Sequence, residues 1–300
     1  MTGARTAAQF VSLSIIWGTT WLVIKLQLGV VDPSWSVAYR FLLAGGLLLA
    51  WCGASGQPLA VPRAGWGFLA LFATLQFGLN FNFIYRAELH IPSGLPAVAF
   101  ALLMVPNAIL AFLFLGMRVS RRFVAGSAIA ILGVGMLFAN ELRLPEDPAA
   151  VTLGLLLTGA AMLSASTANV MQATARARTL PPLAGLGWAM LFAGALNALL
   201  ALAMAGPPAF DPRPQYWLGL LMLGGLASAL AFALYFDLIR RIGPAEAAWI
   251  GIPIPIVAMA LSTLFEGYRW TGLAVAGAAV SLIGLAIALK PPARRPAVQL

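Results

Sequence analysis

The chain has 300 residues, of which 61% are hydrophobic and 9% are charged, with a mean hydropathy of +0.92. Soluble domains carry about 25% charged residues, so this composition excludes a soluble globular protein. A net charge of +9 in so apolar a chain indicates basic loop anchors on the cytoplasmic side of a membrane, and we predict no nucleic-acid partner.

Apolar stretches of about 20 residues follow one another along the chain, as in a multi-pass membrane protein. We predict helices at 7–28, 34–53, 65–86, 93–115, 121–139, 149–171, 182–205, 215–238, 244–265 and 271–289. The first run follows Arg5 and is too long for a signal-peptide core, so we expect a retained first helix.

Catalytic and metal-binding motifs are missing from the sequence. Cys52 and His90 are the single cysteine and the single histidine, which excludes an intrachain disulfide and a Cys/His metal cluster. Hydrolase, metalloprotease and P-loop motifs are also absent. We therefore predict no cofactor, no metal and no enzymatic activity. A membrane enzyme or a non-transporting assembly protein is the less favoured alternative.

The second half of the chain repeats the first. Gly116, within Leu-Phe-Leu-Gly-Met-Arg, recurs as Gly267 within Leu-Phe-Glu-Gly-Tyr-Arg, at an offset of 151 residues (267 − 116). The later glycines of both halves keep the same offset. We predict a first repeat at 1–139, an extracytoplasmic connector at 140–148, a second repeat at 149–290 and a cytoplasmic tail at 291–300. Five helices in each repeat would invert the second relative to the first, as in many secondary transporters.

The distribution of basic residues predicts the orientation. Twelve of the 18 lysine and arginine residues fall in the termini and in the loops on the same side as them. The positive-inside rule then places the N- and C-termini in the cytoplasm. The expected fold is an all-α integral membrane protein with ten transmembrane helices.

Three features together resemble a known family. They are Trp17-Gly18 in the first helix, Arg40-Phe41 in the second, and the repeated pattern near the end of both halves, in which Gly-x-Arg is followed by a later glycine. Over essentially the whole chain they resemble the EamA family of the drug/metabolite transporter superfamily. Within it, the chain is most similar to the YddG-type exporters of aromatic amino acids. The resemblance implies a carrier in the bacterial inner membrane.

The sequence departs from the family pattern at one point. The family often has Leu-Gly-Glu near the ends of the fourth and ninth helices. Met117 and Tyr268 take the place of that glutamate here, and Glu266 precedes Gly267.

Polar residues inside the apolar segments are the candidates for a substrate site, because such residues are costly in a bilayer. Gln76 and Asn80 lie at i and i+4 of the third helix, with Phe83 continuing that face and Tyr85 beside it. Neutral hydrogen-bonding groups of this kind suit a zwitterionic substrate. The alternative is that these amides only bond to neighbouring helices.

Aromatic and small polar residues on other helices extend the candidate site. Trp17 and Thr20 share a face of the first helix, and Asn169 lies in the sixth, where packing is the alternative for each. The predicted substrate-binding residues are Trp17, Thr20, Gln76, Asn80, Phe83, Tyr85, Phe100, Asn169 and Trp249.

Prolines occur at similar places in the fourth and ninth helices. A proline within a helix leaves a carbonyl unpaired and weakens the helix locally. Interrupted helices in matching positions of two repeats point to the binding site and the moving parts of a transporter. The predicted gating and hinge residues are Pro92, Pro96 and Pro106 in one half and Pro244, Pro253 and Pro255 in the other. Static kinks are the alternative.

The positions of charged residues restrict the class of substrate. No Asp or Glu is expected at mid-depth in the first, third, fourth or sixth helix, and no mid-membrane cluster of Lys or Arg exists. Arg40 either extends outward to water or braces a loop acid such as Asp32, and the alternative is that it binds a substrate carboxylate near the outer mouth. We predict alternating-access export of small neutral or zwitterionic metabolites, with amino acids of aromatic character favoured. A broad-specificity drug/metabolite exporter is the alternative. The predicted partners are a small-molecule substrate and the bilayer, and the protein is expected as a monomer or homodimer.

Overall fold

The computed structural model describes residues 2–141, 147–242 and 248–289, and every regular element within them is helical. The first half contains α1 (Thr2–Gln27), α2 (Pro33–Ala54), α3 (Arg63–Ala87), α4 (Gly94–Leu115) and α5 (Arg121–Glu141). The second half contains α6 (Pro148–Gln172), α7 (Pro182–Ala205), α8 (segments Pro214–Leu221, Met222–Leu230 and Ala231–Ile242), α9 (segments Ala248–Gly251 and Pro253–Phe265) and α10 (Gly272–Leu289). The predicted all-α membrane class is confirmed.

In the described ranges, 9 helices are long and apolar enough to cross a membrane. The apolar part of α9, Trp249–Phe265, is shorter. Both ends of the predicted connector are helical, because α5 continues to Glu141 and α6 begins at Pro148. Pro244 and the predicted tail at 291–300 lie outside the described residues.

Short-range chemistry sets the helix ends. The Asp32 carboxylate accepts a hydrogen bond from Ser34 N at 2.7 Å, and Pro33 opens α2. Asp147 caps α6 in the same way. The repeated motif ends both α4 and α9. Just after these helices, Gly116 and Gly267 adopt φ values of 67° and 70°. Other residues rarely adopt this left-handed conformation.

Corresponding helices of the two halves pack against each other in opposite directions. A Cβ atom on Gly126 would lie 2.7 Å from Gly284 O, and one on Gly133 would lie 2.6 Å from Gly277 O. Moving forward along α5 therefore means moving backward along α10. Similarly, Gly187 and Gly194 of α7 meet the later and earlier parts of α2. Small residues permit this close approach of backbones.

The helices that carry the predicted site are interrupted at matching places. α3 contains a π-helical stretch at Thr74–Leu79, and α8 contains one at Met222–Leu230. α4 breaks between Ala101 and Met104, while α9 breaks at Ile252. Pro106 and Pro255 lie four residues after Leu102 and Gly251, which are in or next to these breaks. Because proline has no backbone N–H and its ring clashes with the carbonyl four residues earlier, the regular helical bond cannot form there.

The interruptions place the site in the middle of the bundle. α1 packs on α8, α9 and the first part of α4, and α6 packs on α3 and α4. α2 packs on α7, and α5 packs on α10. Outward-facing residues such as Phe114 and Leu264 are each 74% exposed, as expected for a surface that lipid covers.

Candidate functional site

A cavity of about 360 Å³ lies among the interrupted helices. Residues from both halves line it, and the lining includes six of the nine predicted binding residues. These six are Trp17, Thr20, Gln76, Asn80, Phe100 and Asn169. The structure thus brings residues of α1, α3, α4 and α6 to one space, while their role in binding stays a prediction.

One wall of the cavity is aromatic. Trp21 meets Phe100 edge to face, with 5.3 Å between ring centroids. Trp17 contacts Phe232 at 5.5 Å and Tyr235 at 5.1 Å in the same manner. Its indole N–H donates to Ala227 O at 3.0 Å, within the π-helical stretch of α8. The aromatic wall therefore links α1 of the first half to α8 of the second.

Two amide side chains of α3 make another part of the cavity polar. Gln76 Oε1 and Asn80 Oδ1 are buried and accept no hydrogen bond from the described residues. Asn80 Nδ2 donates to Gln76 O at 3.2 Å, which orients the Asn80 oxygen away from that bond. Two unused acceptors therefore border the cavity, where a ligand N–H group could reach them.

The other polar residues of the lining have partners. The Thr20 hydroxyl donates to Trp17 O at 2.6 Å in its own helix. Asn169 Nδ2 lies 3.5 Å from Asn107 Oδ1, across α6 and α4. Asn169 and Asn107 thus offer hydrogen-bonding capacity at the part of the cavity between these helices.

Three predicted binding residues lie away from the cavity lining. Tyr85 is fully buried, and its hydroxyl donates to Gln27 Oε1 at 3.1 Å. Phe83 packs on the main hydrophobic core, and Trp249 precedes the lining residue Ile250. The expected position of Phe83 assumed regular α-helical spacing. A π turn takes up an extra residue and rotates all later side chains, so Phe81 and Ile84 follow Asn80 into the lining.

The predicted hinge residues occupy different positions. Pro255 lines the cavity. Pro96 lies in the first segment of α4, Pro106 lies in its second segment, and Pro253 opens the long segment of α9. Pro92 lies in the loop before α4. Their role in gating stays a prediction.

Arg40 was the residue that the sequence placed least well. It lies in the cavity wall rather than bracing Asp32, whose ion pair is formed with Arg86 at 3.8 Å. Trp21 and Phe81 also belong to the lining without having been predicted. The position of Trp21 at i+4 from Trp17 was a signal for that face, and an arginine inside an apolar helix was a signal for a polar cavity.

A polar cluster joins the halves where α1 ends and α4 begins. We call Lys25, Glu88, Ile91, Ser93 and Glu266 the seal. Lys25 Nζ donates to Glu88 O and to Ile91 O. Ser93, before α4, donates from Oγ to the Glu266 carboxylate at 2.5 Å and from its backbone N at 3.1 Å. The loop after α9 is thereby attached to the start of α4.

Glu88 is the unusual member of the seal. It is fully buried, and neither carboxyl oxygen has a hydrogen-bond partner in the described part of the chain. Burial raises the pKa of the Glu88 carboxyl well above its ordinary value of 4.5, and nearby Glu266 adds to the rise. Lys25 and Arg40 oppose it. An acid so placed holds a proton more readily than an exposed one.

Among the described residues, no group of three His, Cys, Asp or Glu side chains could hold a metal ion. The cavity offers aromatic surface, unused amide acceptors and a guanidinium.

Comparisons with known proteins identify the family of this chain. The model of the EamA-like transporter family matches twice, at residues 5–139 and 152–290. A probable amino-acid metabolite efflux pump of Salmonella typhimurium is 28% identical over 91% of both chains. The inner membrane transporter YedA of Escherichia coli K12, itself uncharacterized, is 28% identical over 96% of this chain and 94% of its own.

A solved crystal structure shows the same fold. It superposes with a TM-score of 0.68 over 95% of this chain and 96% of its own, at 21% identity. The two family matches coincide with the two halves found above and together cover most of the chain. This protein is therefore a multi-pass membrane transporter that belongs to the EamA-like transporter family.

Proposed function

We propose that this protein exports small zwitterionic metabolites, with a preference for amino acids of aromatic character, by alternating access. The observation that carries the proposal is the cavity itself. It combines an aromatic wall with the unused amide oxygens of Gln76 and Asn80, and it lies where the helices of both halves are interrupted. A flat side chain and an ammonium group find complementary surfaces there.

The proposed architecture is ten transmembrane helices in two inverted repeats, with α9 as the tenth span. Two observations support it. The family model matches each half separately, and the pairs α5–α10 and α2–α7 run in opposite directions. Matched breaks in α4 and α9 give the halves a place to bend.

The proposed location is the bacterial inner membrane with both termini in the cytoplasm. The excess of lysine and arginine on the side of the termini supports this orientation. A relative named as an inner membrane transporter supports the compartment. In this orientation the seal lies on the extracytoplasmic side, where α1 ends and α4 begins, and we propose that it opens during export.

Removing the two amides tests the proposal. We expect Gln76→Ala combined with Asn80→Ala to weaken substrate binding by at least about tenfold, because each lost hydrogen bond to a charged group contributes about 1.5–3 kcal/mol. The measurement is exchange of radiolabelled phenylalanine by purified protein in liposomes, over a range of substrate concentrations.

The matched control is Thr74→Ala, which alters the same helix. The Thr74 hydroxyl donates to Ala70 O at 2.8 Å and lies outside the cavity lining. We expect this variant to exchange phenylalanine like the unaltered protein. Unchanged exchange by the double variant, at equal incorporation into liposomes, would contradict the proposed site.

A further inference from the structure

Arg40 gives the cavity a fixed positive group. Its side chain is 2% exposed, and its Nε donates to Ser228 Oγ of α8 at 3.1 Å. The guanidinium carbon lies 4.4 Å from the centroid of the Phe81 ring. These contacts hold the guanidinium between a helix of the second half and an aromatic ring of α3, at the edge of the cavity.

One nitrogen of this group lacks a partner. Arg40 Nη1 is buried and makes no hydrogen bond within the described residues. The ion pairs within the described residues are formed by Arg5, Arg86 and Arg213, and none of them includes Arg40. An unpaired donor of a buried cation is costly, and an anion that accepts its hydrogen bond would remove the cost.

The surroundings of Arg40 favour an anion over a cation. Among the described residues that line the cavity, Arg40 is the one charged side chain. The charge of Arg40 therefore favours an anion over a cation in the cavity. The planar guanidinium presents its N–H groups in a geometry that matches a carboxylate.

The amide oxygens complete this arrangement. Gln76 Oε1 and Asn80 Oδ1 accept, whereas Arg40 Nη1 donates, and all three atoms are buried and unused. A molecule with a carboxylate and an ammonium group would satisfy donor and acceptors together. A molecule with an amine alone would leave Arg40 unpaired and would be repelled by its charge.

We propose that Arg40 binds the carboxylate of the cargo and that the carboxylate is the group by which this carrier selects its substrates. The inference rests on the proposed export function and defines its substrate class. That class is small monocarboxylates with an apolar or aromatic body, zwitterionic amino acids among them. Esters and amines of the same shape fall outside it.

Competition by close analogues tests the inference on the full-length protein in liposomes. Exchange of radiolabelled phenylalanine is measured with unlabelled phenylalanine, 3-phenylpropionate, phenylalanine methyl ester or phenethylamine as competitor. We expect the two carboxylates to inhibit at concentrations at least about tenfold lower than the ester and the amine, which corresponds to the loss of one charged hydrogen-bonded contact.

Variants of Arg40 test whether this residue causes the preference for carboxylates. Arg40→Gln should weaken the binding of phenylalanine at least about tenfold. Phenylalanine and its methyl ester should then inhibit at similar concentrations. Arg40→Lys should keep part of the preference, since it retains the charge without the planar geometry. Arg118→Gln, in the loop after α4, is the matched control and should keep the full preference. If Arg40→Gln does not fold, the ranking of analogues on the unaltered protein still decides.

Equal inhibition by phenylalanine and its methyl ester would overturn the inference while leaving the export function standing. Exchange of labelled phenylpropionate without exchange of phenylalanine would support a carboxylate site and overturn the amino-acid proposal. Exchange of phenethylamine alone would overturn both.

Discussion

Replacing Gly133 with alanine is expected to destabilise the folded protein strongly. A Cβ atom at this position would lie 2.2 Å from Ser281 N and 2.6 Å from Gly277 O. Both are backbone atoms of α10, so no side chain can move aside, and α5 and α10 would have to separate. We expect a loss of about 3 kcal/mol or more in stability, seen as a lower melting temperature and aggregation in detergent.

Gly135 provides the matched control two residues further along α5. An added Cβ there would meet no atom within 4 Å. Alanine is a better helix former than glycine by about 1 kcal/mol, so Gly135→Ala should keep or slightly raise the melting temperature. Similar melting temperatures for the two variants would mean that α5 and α10 do not pack through this glycine.

The repeat made this packing partly predictable. Glycines at a constant offset, together with the motif around Gly116 and Gly267, indicated which helices of the two halves are equivalent. Hydropathy located the helices because a membrane span must be long and apolar. Which helix would contact which was not in the pattern, since that depends on contacts between residues distant in sequence.

The cavity was predicted in outline and missed in detail for a physical reason. Gln76 and Asn80 were found because amides are rare in apolar helices, and they do line the cavity. Phe83 was placed by regular helical spacing, which fails beyond the π-helical stretch at Thr74–Leu79. Such a stretch changes the angular spacing of the side chains, which a sequence pattern read with regular spacing does not include.

Charged residues were the hardest to place. A helical arginine such as Arg40 can extend toward either water or a cavity, and sequence alone does not distinguish the two. Glu88 lies just past the end of α3, where most acids are solvated. Its burial follows from the packing of α1 and of the loop after α9, which no local pattern encodes.

Glu88 makes the stability of the protein depend on pH. Lys25 on α1, Arg40 on α2, Tyr85 on α3 and Glu266 after α9 are the charged or titratable groups that face it or interact with it. Burial raises the pKa of the Glu88 carboxyl in the folded protein above its ordinary value of 4.5, which it takes when unfolded. The folded state therefore binds the proton more tightly. Its contribution to stability is complete below pH 4.5 and is lost as pH rises through the raised pKa.

We expect the melting temperature of the purified protein to fall as pH rises through this window, at a rate of up to about 1.4 kcal/mol of stability per pH unit. Glu88→Gln keeps the shape of the side chain and removes its titration, so the variant should show a flatter pH profile and a higher melting temperature at neutral pH.

Asp211→Asn is the control. Hydrogen bonds from Arg213 lower the pKa of Asp211, so this carboxylate stays ionised through the window and its loss should leave the slope unchanged. The same slope in Glu88→Gln and in the unaltered protein would show that Glu88 is not the buried acid responsible.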